Sequence, residues 1–293
     1  MGVMKTNQGT NRTKRIGVPA AEEILGKEFK CLNHGFVRLV DYMGGDDRVV
    51  QAARVSYGKG TKTVSQDKDL IDYLYRNRHT SPFEHVLTEW HCKMPIFVAR
   101  QWVRHRTARL NEVSGRYSVM KDEFYIPDVD EIRKQSKDNK QARGEELSLN
   151  EQEEVLDIFL QGQEKDSEDY HNLLDKGVAK ELARINLPLS LYTEWYWNID
   201  LHNLFHFLGL RMHSHAQKEI RVYANQMFEI TKKLAPMSAD AFQKYSLESL
   251  SLSNKDRQGI KRIFNGEDPQ QVAEEIFINK VERNEFLAKL ESF

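Results

Sequence analysis

Cysteine is almost missing: Cys31 and Cys92 are the only two in 293 residues, and no Cys-X-X-Cys pair or Cys/His metal spacing occurs. That excludes a disulfide framework and a thiolate zinc site. Cys92 lies between His91 and Lys93 with no evident oxyanion partner, which makes it a poor nucleophile. Net charge is also missing, at −1 despite 43 Lys and Arg, so no overall basic field exists for non-specific nucleic-acid binding. No window reaches the roughly 18 apolar residues of a membrane span. The start, MGVMKTNQGTNRTKR, lacks the apolar core of a signal peptide. A cytoplasmic protein that engages neither membrane nor nucleic acid is therefore expected. GxGxxG, GxxxxGK[ST] and HExxH are absent as well, and EVSGR around Ser114 lacks the leading glycine of a nucleophile elbow. No self-similarity of a repeat protein is visible.

The patterning that remains predicts an α+β fold: long helices packed with a small, mainly antiparallel sheet. Residues 1–17 read as a disordered polar tail, within an N-terminal extension of 1–35. A main domain is expected over 36–235 and a C-terminal helical extension over 236–293. FVRLVDY at 36–42 predicts a strand, the Gly-Gly-Asp-Asp turn a helix over 48–56, and SQDKDLIDYLYRN a short amphipathic helix. Val86, Thr88, Trp90 and Cys92 alternate with Leu87, Glu89, His91 and Lys93, which is strand periodicity. Pro95 is expected at the first position of the next helix. The polar stretch 128–153 reads as a surface insertion. Helical spacing returns at 154–182 and, after NLPLSLYTEWYW, runs unbroken over 200–234.

The richest segment is RHRTARLNEVSGRYS at 104–118. Its arginines are interleaved with hydrogen-bonding residues and a glycine rather than with lysines and acids. Guanidinium forks match phosphate bidentately, and Ser and Gly let backbone approach such a ligand closely. An anion pocket for a phosphorylated small molecule is one reading; an Arg-rich helix end facing its own dipole is the other. In the helix at 200–234, Leu201, Leu204, Phe205, Leu208 and Met212 define the buried stripe, with Arg211 beside it. A guanidinium drawn out of water needs a partner, supplied by an acidic side chain, by a polar ligand or by water reached along its stem. Asp200, His202 and His206 permit a further reading, a metal-dependent nucleotide phosphohydrolase. An RNA-binding module built on the 104–116 arginines is weaker, given the charge balance.

Arg104-His105-Arg106, seven residues and then Ser114, with Asn111-Glu112 and Gly115-Arg116-Tyr117, resembles the RHRx7S signature of the flavin-dependent thymidylate synthases. The likeness extends to HTSPFEH at 79–85, ARINLPLSLYTEWYW at 183–197 and NLFHFLGLRMHSHAQKEIRVYA at 203–224. It implies a homotetramer with FAD where subunits meet. The implied reaction is methylation of dUMP to dTMP, with methylenetetrahydrofolate as carbon donor, NADPH as reductant and no metal. By position, Gln101, Arg104, Glu112, Ser114, Gly115, Arg116 and Arg184 resemble the dUMP contacts. Arg211 resembles the catalytic arginine that stabilises the ionised uracil. His79, Ser81, Arg104, His105, Arg106, Glu112, Leu201 and His202, with the flanking Asp200 and His206, resemble the FAD set. Asp200 and His206 stand where several members carry Asn, and Arg109 where many carry Ser.

Overall fold

A computed structural model describes residues 16–55, 64–136 and 143–293. The tail expected over 1–17 lies, up to residue 15, outside the described residues, as do Ser56 at the end of the second expected element and residues 137–142 of the polar insertion. The chain divides into two compact units, 1–242 and 243–293.

The first unit is organised on an antiparallel sheet of five strands, β1 (Phe29–Cys31), β2 (Gly35–Met43), β3 (Leu87–Pro95), β4 (Arg109–Glu112) and β7 (Tyr192–Asp200), in the order β1-β2-β3-β7-β4. Short strands β5 (Arg133–Gln135) and β6 (Arg143–Glu146) pair separately inside the polar insertion. Register places Val37 opposite Cys92, Leu39 opposite Trp90 and Trp90 opposite Trp197, so all these side chains share one face. That face is buried. It is covered by α4 (Ile96–Trp102), α7 (Leu201–Arg211) and α8 (Lys218–Leu234). Gly35 is required where β2 begins, because a Cβ there would stand 1.9 Å from the Tyr223 hydroxyl of α8.

The observed elements differ from the sequence pattern in three instructive places. Pro95 is the extended N-cap of α4 rather than its first residue, with ψ 147°. The second half of NLPLSLYTEWYW, expected only as an interruption between helices, opens strand β7, which lies between β3 and β4; aromatic residues on both of its faces, Trp195 and Trp197 against Tyr196, blur the period-two signal. The helix expected unbroken over 200–234 stops at Arg211 and restarts at Lys218. Between them the His215 N–H donates to His213 Nδ1 (3.2 Å) and Arg221 donates to the Ser214 carbonyl (2.9 Å), giving polar groups partners outside a helical ladder.

Around the sheet lie α1 (Pro19–Glu22), α2 (Asp46–Arg54), α3 (Val64–Arg76), the long α5 (Leu149–Asp175), α6 (Lys180–Ala183) and α9 (Pro236–Phe242). A Ser148/Glu151 capping box starts α5. The Asp46 carboxylate caps α9 from a distance, accepting from the backbone N–H of Met237 (2.7 Å) and Ser238 (2.9 Å). Within the second unit, α10 (Asn254–Phe264), α11 (Pro269–Ile276) and α12 (Lys280–Glu291) close on a small core of Val272, Ala273, Phe277 and Phe286. Ser253, Asp268 and Asn279 cap the three helices.

At the centre of the first unit sits Trp102, the last residue of α4 and fully buried. Its ring stacks on Phe207 (4.8 Å between centroids) and meets Trp195 and Trp197 edge-on at 5.6 and 5.4 Å. Truncating a ring so enclosed leaves a cavity its neighbours fill only in part. Trp102→Ala is therefore expected to lower unfolding free energy by about 3–5 kcal/mol, measured by chemical denaturation; a loss under about 1 kcal/mol would contradict this packing.

Candidate active site

Trp102 and Phe207 fix the ends of two elements that each deliver a polar group a few residues on. His105 follows Trp102 after α4 ends, and Arg211 lies one turn beyond Phe207 in α7. The two meet: Arg211 Nε donates to His105 Nε2 at 3.0 Å, and Arg211 Nη2 donates to the Gln101 carbonyl at 3.3 Å. The acidic partner that the sequence permitted is not what Arg211 takes; both of these acceptors are neutral. His105 also packs edge-on against Phe207 (4.9 Å) and reaches His206 at 6.1 Å. Burial, and then the Arg211 cation and His206, hold the His105 imidazole down at about 4. Burial likewise lowers the proton affinity of Arg211, which nevertheless stays charged, as guanidinium groups do in proteins.

The Gln101 side chain donates to Gln217, the N-cap of α8. Gln217 was missed in the sequence because it caps a helix whose start lay inside an apparently continuous one. It also lines a second cavity of about 600 Å³ beside α5, walled by Phe97, Ile132, Val155 and Phe159, which holds none of the expected residues.

A second group forms where the RHRx7S stretch leaves β4. Gly115 is buried, and a Cβ on it would come within 3.1 Å of Arg184 Cδ and 3.3 Å of Arg184 Nη1, so the Arg184 guanidinium lies along this backbone. Arg116 Nε donates to Glu181 at 3.0 Å, and its N–H to Ser114 Oγ at 3.3 Å. The Arg116 and Glu181 side chains are 57% and 51% exposed. An ion pair this wet is worth about 0–1 kcal/mol, so Glu181 holds Arg116 only weakly. Glu112, on the edge strand β4, accepts from Thr193 Oγ1 at 2.6 Å. Arg109 donates to Asn198 at 3.4 Å.

His79 and Ser81 line a cleft of about 950 Å³ between α2 and α3, together with Tyr73, Arg78 and Pro82. Here α3 ends in a Schellman turn: the Arg78 N–H reaches the Tyr75 carbonyl and the His79 N–H the Leu74 carbonyl, with Arg78 left-handed at φ 58°. Arg104 and Arg106 are exposed and have no side-chain partner among the described residues. Those free cations and the open cleft suit a large anionic cofactor with a diphosphate.

The start of α7 is committed differently. Asp200 is its N-cap, accepting from Asn203 N at 2.9 Å and Asn203 Nδ2 at 2.7 Å. Leu201 is fully buried and its N–H donates to the Val86 carbonyl at 2.9 Å; His202 is half-buried and His206 exposed. Among the described residues no group of three or more His, Cys, Asp or Glu is placed to hold a metal ion. None of their helices is long and apolar enough to cross a membrane.

Residues 38–237 match the family model described as thymidylate synthase complementing protein. A flavin-dependent thymidylate synthase from Treponema denticola is 58% identical over 83% of this chain and 92% of its own. One from Rickettsia conorii is 52% identical over 88% and 92%. Among solved structures, the UMP/dUMP methylase PolB from Streptomyces cacaoi, bound with 5-Br dUMP, is 35% identical with a TM-score of 0.68, covering 74% of this chain and 98% of that one.

The Arg211 bond requires His105 to be neutral, with Nε2 unprotonated and the ring proton on Nδ1. Because burial depresses its folded value below the free value of 6.5, its contribution to stability is complete above about pH 6.5 and is lost as pH falls towards 4. NMR titration of His105 is expected to give a midpoint near 4; a midpoint at or above the free value would show that the bond to Arg211 does not form.

Proposed function

The chain belongs to the thymidylate synthase complementing protein family, the flavin-dependent thymidylate synthases, and on that premise we propose that it methylates dUMP to dTMP. Methylenetetrahydrofolate supplies the carbon and NADPH the reducing equivalents. The observation that carries the reading is a half-buried arginine, Arg211, whose charge is left uncompensated by its neutral partners His105 and Gln101.

Attack by a uracil C5 needs electron density pushed towards that carbon, and the ring gains negative charge as this happens. Arg211 stabilises that charge where water is scarce and the cation is already oriented. This leaves no role for an enzyme thiol, and burial pushes the Cys31 and Cys92 thiols well up, away from the reactive thiolate. Arg116, Arg184 and the backbone at Ser114 and Gly115 hold the phosphate. Gln101 and Glu112 fix the nucleoside.

FAD would be held by Arg104, His105 and Arg106, by His79 and Ser81 in the cleft, and by His202 and His206 on α7, whose first residue Leu201 anchors that helix in the core. When bound it supplies the hydride. Asp200 acts here through its cap, shaping the α7 terminus rather than offering a free carboxylate. That commitment also counts against the metal-dependent phosphohydrolase, which needs the same carboxylate as a ligand. The exposure of Arg104, Arg106 and Arg116 supports a homotetramer in which neighbouring subunits complete each FAD site. Cytoplasmic placement goes with these substrates.

Purified protein is expected to be yellow with bound flavin; colourless protein that also fails to bind added FAD would overturn the proposal. Arg211→Ala is expected to abolish dTMP formation while leaving the fold intact, and full activity in that variant would remove the catalytic assignment. Gly115→Ala pushes on Met120 and Arg184, both flexible side chains. It is therefore expected to fold and to raise the KM for dUMP on the order of tenfold, the loss of one charged hydrogen bond; an unchanged KM would detach Arg184 from the phosphate.

A further inference from the structure

The middle residue of Arg104-His105-Arg106 does something its neighbours do not. Both arginines point their guanidinium groups into solvent without partners among the described residues, whereas His105 turns inward to Arg211. We propose that His105 is a positioning residue for Arg211, coupling the segment that holds the cofactor to the cation that acts on the uracil. The inference rests on the function proposed above and adds to it a link between its two ligand sites.

Geometry and charge carry it together. A guanidinium is planar, with five N–H donors in fixed directions. Its Nε and Nη2 bonds, to His105 Nε2 at 3.0 Å and to the Gln101 carbonyl at 3.3 Å, use one edge and fix the plane. The Nη1/Nη2 edge is left for a ligand. Both anchors belong to the same short stretch, on either side of Trp102, and Trp102 is clamped by Phe207 of the helix that carries Arg211. The Phe207 ring also meets His105 edge-on, so the imidazole is wedged as well as bonded. Gln217 secures the Gln101 side chain from α8.

The residue type matters as much as its place. A carboxylate at position 105 would orient Arg211 equally well but would neutralise it, spending on the protein the charge that the developing uracil anion needs. A neutral imidazole accepts the Nε proton and leaves the full positive charge available. Displacing His105 releases one of the two bonds that fix the guanidinium plane.

A double-mutant cycle on the FAD-loaded enzyme tests this, reading dUMP affinity from the flavin absorbance change and FAD affinity separately from flavin fluorescence. His105→Leu is expected to weaken dUMP on the order of tenfold, and His105→Gln, which keeps an acceptor, to recover most of that loss. In an Arg211→Ala background, His105→Leu is expected to have almost no further effect on dUMP. If His105→Leu weakens dUMP equally with and without Arg211, or changes FAD affinity alone, the positioning role is wrong. Should His105→Leu not fold, His105→Asn, whose shorter amide withdraws the acceptor, carries the same cycle with the same expectations. Failure of the underlying function looks different: wild-type protein makes no dTMP, and Arg211→Ala leaves dUMP affinity untouched.

Discussion

The meeting of His105 and Arg211 is placed by one apolar contact, the seating of Trp102 among Trp195, Trp197 and Phe207. The four rings come from α4, the inner strand β7 and α7, and their burial removes enough apolar surface to lock three chain directions at once. From that knot the chain emerges in two places. One carries His105 and, through β4, the Ser114-Gly115-Arg116 turn; the other carries Arg211. Loops alone would not hold a guanidinium and an imidazole at hydrogen-bond distance, whereas chain ends leaving a packed aromatic cluster have little freedom to drift.

The electrostatic arrangement follows from how wet each cation is. Arg116 and Glu181 pair in solvent, where the pairing is weak and easily broken. Arg211 is drawn partly out of water and receives two neutral acceptors instead of a carboxylate. Opposite solutions to cation placement thus occur in one enzyme, one suited to capturing an anion and the other to meeting a charge that appears only as the reaction proceeds.

Much of this was legible in the sequence because the relevant signals are local. The alternation in β3 survives, and so does the apolar stripe of α7 at Leu201, Leu204, Phe205 and Leu208, though Met212 is only half-buried and caps the helix. Arg211 stood out as a charge beside that stripe, and it does lie there. What was not legible depended on tertiary partners. β7 hid behind aromatic residues on both of its faces, and the break at 212–217 hid behind helical spacing that continues across it. Gln217 and Glu181, which bond Gln101 and Arg116, belong to no motif and become visible only when α8 and α6 are in place. Asp200 and Leu201 fit the sequence pattern of a cofactor contact, yet one is committed to a cap and the other to the core.

A crystal structure of the protein with FAD and dUMP tests the central claim most directly, since that claim places cations from two distant stretches on one nucleotide. The account predicts the uracil ring against the Nη1/Nη2 edge of Arg211 and the phosphate between Arg116 and Arg184, from the same subunit or its neighbour. A nucleotide bound with its base away from Arg211, or its phosphate away from the Gly115 turn, would contradict it.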